Sequence, residues 1–128
     1  MKLNRLYVEK PWGRARLPGA FDTAGNKKIG EVWFTNGSDL PLLVKYIFTS
    51  EPLSIQVHPD DAQARAHGLS RGKNECWYIV DAEPGASIGL GLKREVSAGE
   101  LRGAALDGSM EDLVDWRSVQ PGDFYLVP

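Results

Sequence analysis

Apolar and polar positions alternate in short runs, most clearly in "NECWYIVD" (74–81). An extended segment there puts Glu75, Trp77 and Ile79 on one face and Cys76, Tyr78 and Val80 on the other. "EVWFTN" (31–36) and "LPLLVKYIFTS" (40–50) are β-rich runs separated by the turn "GSD" (37–39). "LSIQVHPDD" (53–61) reads as a strand entering a turn, with Leu53, Ile55 and Val57 facing a core and Ser54, Gln56 and His58 opposite. "ASIGLGLK" (86–93) is expected to pair with 74–81 across the "AEPG" turn, and "WRSVQPGDFYLVP" predicts strand, turn and strand. Helical signals are few and local. Asp60 can cap a short helix that stops at Gly68, Ser97 and Glu100 form a capping-box pattern, and "SMEDLVDW" predicts another short helix. Many short strands with small helical insertions predict a mainly β fold, a sandwich or barrel of jelly-roll type.

At 128 residues the expectation is a single domain spanning 1–128, large enough for an unstapled core. Fifteen basic and seventeen acidic residues are interspersed without a basic stripe, which argues against nucleic acid and anionic membranes as partners. Cys76 is the lone cysteine, so no intrachain disulfide can form, and its expected role is packing. The amino-terminal stretch has no apolar signal region and no run is long enough for a membrane span, so the expectation is a cytoplasmic protein.

Candidate chemistry centres on Gln56, His58 and Glu75. In a strand the first two would emerge on one face roughly 7 Å apart along the chain. Glu75 shares a face with Trp77 and Ile79, and a carboxylate on an interior face must be paired or metal-bound. An imidazole, a carboxylate and an amide oxygen form a mixed nitrogen and oxygen set suited to zinc or another divalent first-row ion. The competing reading makes His58 a turn residue and Glu75 a solvated strand end. His67, on a short polar helix, is expected to face solvent. Lys73 precedes Glu75 by two positions and can share its face, where an ammonium suits an anionic substrate group. Ser54 can hydrogen-bond a ligand oxygen or its own backbone.

"PWG" (11–13), "GEVW" (30–33), "LLVKYI" (42–47), "LSIQVHPDD" and "GKNECWYIVDAEPGA" (72–86), in this order, resemble the class I mannose-6-phosphate isomerases of the cupin superfamily. The resemblance implies a cupin-like jelly roll and zinc-assisted interconversion of mannose 6-phosphate and fructose 6-phosphate. It implies Gln56, His58 and Glu75 as zinc ligands for one ion per chain, and Lys73 as a catalytic residue near the substrate. Trp12, Glu31, Lys45 and Ser54 match positions that line or support the family's substrate pocket, so a phosphorylated hexose is the implied partner. Family members continue past the equivalent of "PGDFYLVP" into a last zinc histidine and an arginine. The expectation is therefore a domain incomplete at its carboxyl end, with barrel edges open to homo-oligomer contacts. A non-catalytic cupin binding a sugar or metal, or an inactive fragment, stays open as the alternative.

Overall fold

The computed structural model describes residues 2–22, 25–38 and 40–127. It is mainly β, as the alternation predicts, and its contacts divide it into two compact units, Met1–Gln56 and Val57–Pro128.

The first unit is an antiparallel sheet of β1 (Asn4–Arg14), β2 (Ile29–Thr35) and β3 (Val44–Ile47), in that order, with a 3₁₀ turn at Gly19–Phe21. Tyr7 lies opposite Val32, and Val32 opposite Tyr46. Leu17, Ile29 and Val32 form the buried core, against which Tyr7, Phe21 and Phe48 pack. The Phe21 ring stands 4.7 Å from Tyr46 and 5.5 Å from Phe48, and the Arg5 guanidinium lies 5.0 Å from the Phe21 centroid. Such ring pairs add to the burial of their area.

β1 is the strand that alternation does not reveal, because charged residues, Pro11 and Gly13 break up its apolar positions. Its register slips between Glu9 and Arg14, which both lie opposite Ile29. The intervening Lys10–Gly13 stretch bulges, and Pro11 has no N–H to offer a ladder there. Gly13 is buried so close to β2 that a Cβ would stand 2.4 Å from the Ile29 carbonyl carbon and 2.5 Å from the Gly30 nitrogen. Backbone cannot move aside as a side chain can. The strand predicted over 40–50 shortens to β3, and in the preceding turn Asp39 lies outside the described residues, as does Pro128 at the end of the last predicted strand.

The second unit holds α1 (Asp61–Ala66), β4 (Glu75–Tyr78), β5 (Ser87–Leu92), α2 (Ala98–Asp107), α3 (Met110–Leu113), β6 (Val114–Ser118) and β7 (Phe124–Val127). Capping follows the sequence signals. Asp60 accepts from the Gln63 N–H while Gln63 reaches back to the Asp60 N–H, and Ser97 accepts from the Glu100 N–H. The Glu100 carboxylate does not close its box, because it pairs with Arg94 instead.

Strand pairing departs from the expected hairpin. β4 pairs with β7 and β5 with β6, both antiparallel, so 74–81 and 86–93 are not partners. The segment between β4 and β5 is too long for a tight two-residue turn. Ile79 continues β4 against the turn before β7, donating to Asp123 O and accepting from the Gly122 N–H. The face of β4 with Glu75, Trp77 and Ile79 is the more protected one, and its opposite face is open. Cys76, expected to pack, is exposed there, as are Tyr78 and Val80 and, on β7, Phe124 and Leu126.

Residues 53–60 form no strand. Pro52 and Pro59 bracket the segment without N–H donors, and Val57, expected to face a core, is 82% exposed. The apolar side of the predicted strand is thus absent, although the polar residues remain of interest.

Gly13→Ala should destabilise the protein by on the order of 2 kcal/mol or more, through backbone overpacking that cannot relax. Gly103→Ala, inside α2 with open space around the added methyl, should stabilise it by about 1 kcal/mol. Urea midpoints that shift in opposite directions would establish both.

Candidate functional site

Two groups of the sequence-singled residues come together, one in each unit. In the first, the Glu31 side chain is 9% exposed at the centre of β2. β1 and β3 flank it, and alternation places Trp33 and Lys45 on its side of the sheet. The Trp33 indole N–H donates to Glu31 Oε2 at 2.8 Å, and Lys45 Nζ donates to Oε1 at 3.2 Å. Each carboxylate oxygen therefore has its own donor. Burial opposes the charge and would raise the Glu31 carboxyl, but the indole hydrogen bond and the Lys45 ammonium outweigh it, with a smaller contribution from Lys10. The carboxyl ends below its ordinary 4.5.

Trp12 sits in the β1 bulge. Its carbonyl accepts from the Ser50 N–H at 2.8 Å, and its ring approaches Gly30 so closely that a Cβ there would meet Cζ3 at 2.7 Å. Trp33 is the residue sequence reasoning missed. The signal was present in "GEVW", where a tryptophan two positions after a glutamate shares its face of a strand.

In the second unit Glu75 opens β4, and His58 and Lys73 converge on the same oxygen. His58 Nε2 lies 3.2 Å from Glu75 Oε1, and Lys73 Nζ lies 3.4 Å from it. The histidine side chain is 8% exposed and the glutamate 19%, so the pair is largely withdrawn from water. His58 Nδ1 is buried with no hydrogen-bond partner among the described residues. An orphaned buried polar atom costs about 1–3 kcal/mol, so this one calls for a ligand or a water. His67, by contrast, is exposed at the end of α1, as expected.

The donor set fits a metal in part. Two ligand atoms about 2.0–2.1 Å from one zinc, at the tetrahedral angle, stand about 3.3 Å apart. The Nε2 to Oε1 separation of 3.2 Å is of that size. Among the described residues no group of three or more His, Cys, Asp and Glu side chains is placed to hold a metal ion. Gln56, which offers an amide oxygen, is exposed at the end of the first unit, and Ser54 is exposed two positions earlier. No helix among the described residues is long and apolar enough to cross a membrane.

This β architecture matches that of a solved sugar-phosphate isomerase. The crystal structure of the mannose 6-phosphate isomerase from Bacillus subtilis superposes with a TM-score of 0.81 and 29% identity, covering 99% of this chain and 52% of that one. Residues 18–89 match the family model of the phosphomannose isomerase type I catalytic domain. The chain belongs to the type I phosphomannose isomerase family, and its fold is the cupin-like one of that family, with sheets that are not closed. The mannose-6-phosphate isomerase of Streptococcus mutans is 40% identical over 94 residues, 73% of this chain and 29% of its own. The probable mannose-6-phosphate isomerase GmuF of B. subtilis is 36% identical over 111 residues, 80% of this chain and 35% of its own. The chain thus spans about a third of the length of these curated relatives.

Glu31 should give stability a distinct acid limb. Its carboxyl is lower in the folded than in the unfolded state, so its contribution is complete above 4.5 and is lost as pH falls through the depressed value. Glu31→Gln should cost about 1.5–3 kcal/mol at neutral pH, the range for hydrogen bonds to a charged group. Urea midpoints of variant and wild type should converge as the pH is lowered, and a constant gap would remove Glu31 as the cause.

Proposed function

We propose that this chain carries mannose-6-phosphate isomerase chemistry, interconverting mannose 6-phosphate and fructose 6-phosphate, and that His58 and Glu75 hold a zinc ion. The observation that carries this reading is the convergence of His58 Nε2 and Lys73 Nζ on one largely buried Glu75 oxygen in a chain of this family. The matching relatives bear the isomerase name, and they supply the substrate class of the proposal: a phosphorylated hexose.

Aldose–ketose isomerisation takes a proton from the carbon beside a carbonyl and returns one to the neighbouring carbon, through an enediolate. Zinc, when bound, would supply Lewis-acid charge that favours the developing enediolate. The chain's own contribution is positional and electrostatic. Glu75 and His58 offer an anionic oxygen and an imidazole nitrogen from a water-poor position, where charge interactions are stronger than in bulk solvent. Lys73 adds a fixed positive charge beside them, suited to oxygens that gain negative charge along the reaction. In the first unit Lys45, held by Glu31, forms with Trp12 and Ser54 a substrate-facing set of that unit's own. A phosphate remote from the reacting carbons then provides binding energy for orientation.

The purified chain, stripped and reloaded, should take up about one zinc and convert mannose 6-phosphate to fructose 6-phosphate in a coupled assay. His58→Ala and Glu75→Ala should each lose stoichiometric zinc. Full zinc retention in both variants would refute the ligand assignment, and zinc uptake without turnover would refute the catalytic part alone.

A further inference from the structure

The His58–Glu75 pair joins segments separated by a helix and a turn, and something must fix their register. The chain leaves His58 through Pro59 and Asp60, runs through α1, and turns back at Gly68, whose φ of +76° ends the helix in the left-handed conformation. It then passes residues 58–61 again on its way to β4. At that crossing the Gly72 N–H donates to Asp61 Oδ1 at 2.8 Å, and the Lys73 N–H donates to Pro59 O at 3.1 Å. The approach is so close that a Cβ on Gly72 would lie 2.5 Å from Pro59 O and 2.7 Å from the Asp60 carbonyl carbon. Three residues past Gly72 stands Glu75, and one residue before Pro59 stands His58. The two hydrogen bonds thus lock the segments within a few residues of the pair.

We propose that Asp61 and Gly72 form a latch that positions Glu75 against His58, with Asp61 a positioning residue and Gly72 the residue whose missing side chain lets the latch close. The idea rests on the metal reading above for its consequence, but its geometry stands without a metal. It explains two features the metal ligands leave unexplained: why a second aspartate follows "HPD", and why a glycine precedes Lys73. Asp60 is occupied in capping α1, whereas Asp61 Oδ1 reaches across to the returning loop. Asp61 Oδ2 lies 3.8 Å from Arg65, a loose surface pair that adds little.

The test compares Asp61→Ala, Asp61→Asn and Gly72→Ala in the 128-residue chain. Asn keeps an oxygen acceptor at the Oδ1 position and should rescue; Ala at either position should not. Backbone amide exchange at Gly72 and Lys73 should accelerate at least tenfold in the two Ala variants. The His58 ring nitrogen shifts, read by NMR at one fixed pH without metal, should move in those variants and stay near wild type in Asp61→Asn. Zinc affinity, measured by chelator competition, should weaken about 10- to 100-fold in the Ala variants, the usual scale for outer groups that orient metal ligands. Unchanged amide exchange and unchanged His58 shifts in both Ala variants would overturn the latch. If the wild type takes up no zinc, the metal reading fails, and exchange and shifts still decide the latch on their own.

Discussion

A carboxylate withdrawn from water must be given partners, and both units of this chain are organised around that constraint. In the first, Glu31 lies in the middle strand of the sheet with an indole on one oxygen and an ammonium on the other. In the second, Glu75 starts a strand with an imidazole and an ammonium on the same oxygen. The difference between the two is informative. Glu31 has its own donor on each oxygen, so it is a completed ion pair that also holds Lys45 in place. The Glu75 cluster is unfinished, because the buried His58 Nδ1 has no partner among the described residues. Finished pairs hold structure; an unfinished one is where a ligand gains most by arriving.

The backbone serves these carboxylates by close approach. Gly13 lets the bulged β1 touch β2, Gly30 leaves room for the Trp12 ring, and Gly72 lets the returning loop touch residues 59–61. All three glycines precede or flank a residue of the candidate sites. Their neighbours leave no room for a β-carbon, so the argument for glycine here is space, not a turn conformation.

Much of this was legible in the letters. The inward face of β4, the caps of α1 and α2, and the placing of Lys73 beside Glu75 all follow from periods of two residues or from local capping chemistry. The motifs from "PWG" to "GKNECWY" also name the family that the comparisons identify. What stayed hidden depended on non-local pairing. The β4–β7 partnership joins residues about fifty positions apart, and no local signal encodes it. β1 hid because a bulge scrambles alternation. The segment around His58 misled in the other direction. Its alternation is clean, yet with prolines at both ends it forms no strand, and His58 comes to Glu75 through the loop crossing rather than through a shared strand face. Trp33 was passed over within "GEVW", although it stands two positions after Glu31.

One feature of β4 turns its open face to practical use. Cys76 is the chain's single thiol, exposed, and adjacent in sequence to Glu75 while pointing away from the face that Glu75 shares with Trp77. A maleimide dye or nitroxide would therefore attach at one defined place, on the outer surface of the strand that carries the central carboxylate. Such a label reports on the motion of that strand from behind, without occupying the side where the chemistry is expected.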